Sequence, residues 1–360
     1  MHRRQFLQTF STIPAAALGA TSRTGRLAPF PPNGIGHLPE GAPIVKPRQL
    51  AAGDTVALVS PASATWKDED LEIATESLQA LGLKVVHGAH MMERHGYLAG
   101  DDRARAGDIN QAFADRSIAA VHAIRGGWGS ARVLPYLDFE IIRRNPKILI
   151  GYSDITALLL SVFAKTGLVT FHGPIGMGRW DAFSLDYYKR VVFGGEQVTY
   201  QNKRDLTPDE NALVQTEFRV ETITPGKARG RLLGGNLTVL TTILGSPYLP
   251  DWDGAIFFCE DVHEDLYRID RMLTQLKLAG VLGRIRGFVF GACDKCGPGE
   301  GYGSLTLEEI FDDHIKPLGV PAWQGAMIGH EQPQWTLPEG VEVEIDASAG
   351  TIALLEPPVA

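Results

Sequence analysis

Of 360 residues, 44% are hydrophobic and 21% charged, the composition of a folded globular chain, which excludes a fibrous or disordered polymer and leaves room for about two domain cores. The 34 Lys and Arg are outnumbered by 42 Asp and Glu, a formal charge of −8 with no basic run; gripping a phosphate backbone needs clustered cations, so nucleic acid is excluded as the main partner. No apolar stretch reaches the ~20 residues that a helix needs to cross a bilayer.

The chain opens MHRRQFLQTFSTIPAAALGATS, with Arg3 and Arg4 ahead of a mildly apolar stretch and no Asp or Glu before Glu40. A basic start, a short apolar region and a small-residue zone are the layout of a secretory signal. The paired arginines followed by Gln, Phe and Leu resemble a twin-arginine signal. Residues 1–28 are therefore expected to direct export to the periplasm; the plain alternative is a terminal tail with two surface arginines on a cytoplasmic protein. Residues 29–47, rich in Pro and Gly, read as a linker.

The first strand is DTVALVS, residues 54–60, a continuous apolar run of the kind that suits a parallel strand buried on both faces. Leu71, Ala74, Leu78 and Leu81 then recur at helical spacing, with Gly82 as a stop. LKVVHG, the helix RARAGDINQAFAD and the strand IAAVHAI follow. A helix over 131–144 leads to the strand KILIG, the buried helix ITALLLSVFAKTG ended by Gly167, and the strand VTFHG. Alternation of this kind predicts a parallel α/β layer with its active groups at the carboxyl ends of the strands. These elements define an N-terminal domain over 48–195. Residues 196–225 are polar and read as a second linker. Residues 226–356 form a C-terminal domain: the strand AIFFCE, a helix with Leu266, Ile269, Leu273 and Leu276 on one face, the strand GFVFGAC, a helix near 305–315, and a closing hairpin turning at Gly350.

Three cysteines are too few for a disulfide framework. Cys293 and Cys296 form a C-x-x-C without the second pair that a zinc site needs; a solvent-side loop and a local disulfide both fit. Cys259, within an apolar run, reads as a core residue.

Four segments carry candidate chemistry. In KILIGYSDITALLL, Ser153 lies between a buried strand and an apolar helix, where a tight turn holds a hydroxyl out beside helix N-terminal amides. The G-x-S-x-G pattern is not met, since Ile155 stands in place of the second Gly, and on this segment alone a helix N-cap serine is the plainer reading. In AIRGGWGSARVL, Arg125 to Gly129 follow a strand and open a helix, as either a tight turn or an anion or oxyanion pocket. In AIFFCEDVHEDLYRIDRML, Glu260 ends an apolar strand; an H-E-x-x-H zinc motif is excluded because Tyr267 stands where the second His would be. Glu260 and Asp261 also suit a helix N-terminus. In MIGHEQPQW, His330 ends a short apolar run and ranks slightly above His172 as a functional imidazole. Ser153, Glu260 and His330 thus all sit at strand ends, and a serine hydroxyl becomes a nucleophile when an imidazole steered by a carboxylate takes its proton.

Taken in order over residues 47–356, GDTVALVSPAS, RGGWGS, IGYSDITALL, FHGPIG, LLGGNLTVLTTILGSPYLPDWDGAIFFCEDV, YRIDRMLTQL and IGH resemble the LD-carboxypeptidase family of serine peptidases, which includes murein tetrapeptide carboxypeptidases and microcin C immunity proteins. The resemblance implies a flavodoxin-like N-terminal parallel-sheet domain, a smaller β-containing C-terminal α/β domain and a site between them. It implies Ser153 as nucleophile, His330 as base and Glu260 as its orienting carboxylate, with the amides of Asp154 and Gly127 as oxyanion donors. It also implies release of the terminal D-alanine from a muropeptide, a homodimer, and no metal or nucleotide cofactor. Arg125 is the candidate for the substrate's terminal carboxylate. The family's familiar members carry no export signal, in contrast to this chain. The same triad acting on another peptide or a peptide–nucleotide antibiotic is the alternative, and a non-catalytic periplasmic binding protein is a third.

Overall fold

The structure, a computed structural model, describes residues 43–203, 214, 218–300 and 303–360. The expected signal, residues 1–28, lies outside the described residues, as do residues 29–42 of the first expected linker and most of 204–217 in the second.

The first half forms strands β1 (Thr55–Val59), β2 (Lys84–His87), β3 (Ile118–Ala123), β4 (Ile148–Gly151) and β5 (Thr170–His172). They pair in parallel in the order β2-β1-β3-β4-β5, that of a flavodoxin-like sheet. Helices α1 (Asp68–Ala80), α2 (Asp102–Ala114), α3 (Ser130–Val133), α4 (Phe139–Arg144) and α5 (Thr156–Thr166) lie in the connections. β1, β3 and β4 are buried almost throughout, which is why they read as continuous apolar runs. The helix expected over 131–144 is broken. Pro135 has no N–H to continue the ladder, so α3 passes into a 3₁₀ turn at Leu134–Tyr136, and Asp138 starts α4 afresh by accepting from the Ile141 N–H.

The chain continues through α6 (Ala182–Tyr188), β6 (Thr199–Gln201), β7 (Glu221–Thr224), β8 (Lys227–Asn236), α7 (Leu237–Thr242), β9 (Ile256–Val262), α8 (Leu266–Leu278), β10 (Gly287–Asp294), α9 (Leu307–His314), β11 (Ala322–Gln324), β12 (Leu337–Glu339), β13 (Glu342–Asp346) and β14 (Thr351–Leu354). A second, mixed sheet runs β6-β14-β13-β8-β9-β10-β11-β7. Its middle, β8 to β11, is parallel and its margins antiparallel. The closing hairpin is β13–β14, with Gly350 in the left-handed region at φ +64°.

Two features depart from the sequence reading. The segment expected as a linker over 196–225 supplies β6 and β7, the two outermost strands of the second sheet. Edge strands need one partner and are short and polar, so TYQ and ETIT carry no hydrophobic signature. β12, from within the expected C-terminal domain, crosses to the first sheet and pairs antiparallel with β5, Leu337 opposite His172. Pro338 fits there because an edge strand tolerates a missing N–H.

Helix α5 joins the layers. All its residues except Lys165 are buried, and it packs against β4 and β5 on one side and β8 and α7 on the other. Cys293 and Cys296 are disulfide-bonded, and Cys259 is a free, buried thiol. No helix among the described residues is long and apolar enough to cross a membrane.

Glu339 on β12 is buried, and neither carboxyl oxygen has a hydrogen-bond partner among the described residues. Burial pushes its pKa well above 4.5. A folded-state pKa raised above the unfolded one favours the folded state at low pH, and that advantage is lost as pH rises from the unfolded value towards the folded one. Glu339→Gln is therefore expected to raise Tm, with a larger gain over wild type at pH 8 than at pH 5; equal gains by calorimetry at both would refute a neutral Glu339.

Candidate active site

The site begins at the end of β4. Tyr152 is extended, and Ser153 then turns into the left-handed region at φ +63° before α5 starts. For a residue with a Cβ this costs about 1–2 kcal/mol, and the surroundings hold it in place. A Cβ on Gly126 would lie 3.0 Å from the Ser153 Cβ and 3.3 Å from its Oγ, so the glycine loop presses its bare backbone against the serine. Ile155, which stands in place of the second glycine of a G-x-S-x-G elbow, packs its side chain over Gly151.

His330 comes from the loop between β11 and β12. Its Nε2 lies 2.9 Å from Ser153 Oγ and its Nδ1 lies 2.8 Å from Glu260 Oε2. Glu260 sits on β9 with no exposure at all. Gly329, at φ +119°, is where the two meet: a Cβ there would come within 2.7 Å of Glu260 Oε2. The Tyr152 ring stands edge-on to the imidazole, centroids 5.1 Å apart.

Burial alone would raise the Glu260 pKa, but the charge and hydrogen bond of His330 outweigh it and hold the carboxyl below its ordinary value. Burial likewise favours neutral His330, and Glu260 outweighs it, leaving the imidazole raised above 6.5. An ionised Glu260 makes Nδ1 the donor to the carboxylate and Nε2 the acceptor of the Ser153 O–H. The arrangement can therefore take the serine proton onto the imidazole while the carboxylate stabilises the resulting cation.

The other sequence candidates are placed as follows. His172, on β5, is fully buried, and burial pushes its pKa down to about 4; it makes no hydrogen bond to the Ser153–His330–Glu260 line. Gly127 lies beside Ser63, whose Oγ accepts the N–H of Trp128. The Asp154 carboxylate accepts from the Ser130 N–H, and the Ser130 hydroxyl donates to the Asp154 carbonyl. Arg125 is half-buried and donates through Nη1 to the Ala64 carbonyl, 3.1 Å. Asp261, read as suited to a helix N-terminus, serves α7: it accepts from the Thr238 N–H and hydroxyl and from Asn236 Nδ2. Among the described residues no group of three or more His, Cys, Asp and Glu side chains is arranged to hold a metal ion.

Sequence reasoning passed over Asn236 and Thr156. Asn236 N-caps α7, and its own N–H donates to Thr156 Oγ1 at 2.9 Å, stitching the end of β8 to the start of α5. The run GGNLT, an Asn between a strand and an apolar helix, carries the capping signal that points to it. By NMR, His330 should titrate above pH 6.5 and shift down in Glu260→Gln, whereas His172 should stay neutral to about pH 4; a His330 midpoint unmoved by Glu260→Gln would contradict the pairing.

Known proteins resemble this chain in sequence and in fold. Family models for the LD-carboxypeptidase N-terminal and C-terminal domains match residues 56–173 and 229–345. A protein of Bacillus subtilis named as a probable murein peptide carboxypeptidase is 38% identical over 314 residues, 86% of this chain and 94% of its own. A solved structure of the microcin C7 self-immunity protein, known from Escherichia coli, superimposes with a TM-score of 0.78 at 28% identity, covering 88% of this chain and all of that one. The muramoyltetrapeptide carboxypeptidase of Oxalobacter formigenes does so with a TM-score of 0.68 at 28% identity, covering 83% and 97%. With both domain signatures present on a fold whose two sheets meet at an aligned serine, histidine and glutamate, the chain belongs to the LD-carboxypeptidase family and is a hydrolase of the peptidase class.

Proposed function

We propose that the chain hydrolyses an amide bond near the carboxyl end of a short peptide, with Ser153 as nucleophile, His330 as general base and then acid, and Glu260 as the orienting carboxylate. The observation that carries this reading is the continuous line from Ser153 Oγ through both ring nitrogens of His330 to Glu260. The Ser153 oxygen attacks the scissile carbonyl carbon while its proton passes to His330 Nε2. The carbonyl oxygen becomes an oxyanion, to which we assign the backbone amides of Asp154 and Gly127 as donors. The carbon–nitrogen bond then breaks and His330 returns the proton to the leaving amine. Water, deprotonated by the same imidazole, releases the acyl group and restores the serine. Arg125 is our candidate for holding the substrate's terminal carboxylate.

Two substrates fit this chemistry. A murein tetrapeptide, cut at the L,D bond before its terminal D-alanine, is favoured by the names of the Bacillus subtilis and Oxalobacter formigenes relatives. A peptide–nucleotide or aminoacyl–nucleotide is favoured by the likeness to the microcin C7 self-immunity protein, which has been solved in complex with aspartyl sulfamoyl adenosine. Export through residues 1–28 and assembly as a homodimer belong to the same proposal.

Turnover should be measured on tetrapeptides ending in D- or L-alanine, on tri- and pentapeptides, and on aspartyl sulfamoyl adenosine. Release of D-alanine alone would select the murein reading, and cleavage of the nucleotide analogue alone the other. Ser153→Ala should lower kcat at least ~10³-fold on whichever substrate is cleaved, with binding retained; unchanged turnover removes the triad. Since a neutral His330 is the base, kcat/KM should rise with pH through a limb centred above 6.5. Glu260→Gln should move that limb down and cost about 10²–10⁴ in kcat. For export, Arg3→Lys with Arg4→Lys should hold the protein in the cytoplasm; a wild-type chain already found there would refute the signal.

A further inference from the structure

A buried cation lies against the glycine loop. Arg105, on the second turn of α2, has 1% of its surface exposed. Its Nη1 donates to the carbonyls of Pro61 and Gly129, and its Nη2 to Asp102 Oδ1. Those carbonyls belong to different loops, one after β1 and one after β3. Asp102 in turn accepts from Arg132 Nε and Nη2. Burying a guanidinium is costly unless its charge and donors are met. Here Asp102 supplies the charge and the two loop carbonyls take the Nη1 donors, while the buried Nε has no hydrogen-bond partner among the described residues.

The connections run on from there to the nucleophile. The residue after Gly129 is Ser130, whose N–H and hydroxyl both bind Asp154, next to Ser153. The loop after β1 binds the glycine loop twice more, through Trp128 N–H to Ser63 Oγ at 3.0 Å and through Arg125 Nη1 to the Ala64 carbonyl. Residues 125–130 are thus held at the 129–130 end by Arg105 and the elbow and at the 125 end by the Ala64 carbonyl, with Gly126 pressed against Ser153 between them.

We propose that Arg105 is a positioning residue for catalysis: its buried planar fork fixes the loop after β1 and the loop 125–130 together, and thereby sets the Gly127 amide against Ser153. This rests on the serine-hydrolase reading above. An amide aimed at a developing oxyanion acts on the transition state and not on the bound substrate, so its misplacement lowers kcat and leaves KM nearly alone. Lysine keeps the charge but offers one point donor in place of a rigid fork, and is an incomplete substitute.

The test is steady-state kinetics per folded molecule on the substrate that the wild type cleaves, with thermal unfolding measured alongside. Arg105→Met is expected to lose about a hundredfold in kcat with KM within about twofold. Arg105→Lys is expected to recover part of that loss. A peptide boronate, which forms a tetrahedral adduct with the serine, should bind more weakly by a factor tracking the fall in kcat. A lowered Tm with wild-type kcat, or a raised KM at constant kcat, would overturn the proposal and leave Arg105 a purely structural residue. Should Arg105→Met fail to fold, Asp102→Ala leaves the arginine in place but frees Nη2; a smaller loss confined to kcat supports the proposal, and wild-type kcat overturns it. Ser153→Ala runs in parallel. If the wild type cleaves nothing in the panel, or Ser153→Ala keeps full turnover, the hydrolase reading itself has failed; if Ser153→Ala is dead and the Arg105 and Asp102 variants keep kcat, only the positioning role has.

Discussion

A carboxylate with no solvent exposure, set in a strand of Phe and Cys, is the constraint from which the rest of the site follows. Taking a charge out of water costs several kcal/mol unless a partner meets it, and the partner of Glu260 is the imidazole of His330 at 2.8 Å. Because the carboxylate holds Nδ1, only Nε2 is left to face Ser153. Residue 329 lies so close to the Glu260 side chain that its Cβ has no room. The charge pair, its tautomer and a glycine are thus consequences of one burial.

That pair also explains why the two sheets must be one body. Ser153 is at the end of β4 in the first sheet and Glu260 is on β9 in the second. Neither sheet alone holds the distance between them. The loop that carries His330 leaves the second sheet at β11 and enters the first at β12, so the imidazole is tethered to both frames. Within the loop, the Trp335 N–H donates to the Met327 carbonyl, and Tyr200 Oη donates to the Thr336 carbonyl at 2.6 Å. The cross-over of β12 is what ties the imidazole to the serine's sheet as well as to the glutamate's. Helix α5, buried on both sides, is the spacer, and its first residue, Thr156, is hydrogen-bonded to Asn236 at the end of β8.

Much of this was legible in the amino acids because burial writes itself as periodicity. β1, β4 and the first four residues of β9 are buried almost throughout and appear as apolar runs; α8 buries Ile269, Met272, Leu273 and Leu276 and shows the helical spacing. Ser153, Glu260 and His330 stood out because each follows or ends such a run. What stayed hidden has no apolar signature. β6 and β7 are short polar edges, and β12 is a three-residue strand with Pro338 at its centre. Arg105 sits in a helix of mixed charged and apolar residues with no clear apolar face, and nothing in RARAGD distinguishes the arginine that is buried from Arg103 two residues before it. Only the fold brings Pro61 and Gly129 to the same guanidinium. The G-x-S-x-G test stumbled at Ile155 for a related reason: the elbow needs a close approach, and here Gly126 on another strand's loop supplies it.

Glu260 and Asp261 show how neighbours of one chemistry come to separate duties. Successive side chains on a strand point to opposite faces. Glu260 turns into the cleft, where a histidine lowers its pKa, while Asp261 turns to the start of α7. There burial first, and then the charge of Glu260, push the Asp261 carboxyl up to about 6, against the pull of the Val262 and Thr238 donors. Environments that drive like groups apart assign their roles: Glu260 is held ionised against an imidazole it can steer, and Asp261 is occupied with backbone and hydroxyl donors that fix Asn236 and Thr238. Those two residues fasten α7 to β8, and β8 is the strand that lies directly beside Glu260 in register. The second carboxylate therefore acts through the sheet, by keeping the strand next to Glu260 where it is, and through its charge, which helps to hold the His330 imidazole above its ordinary pKa.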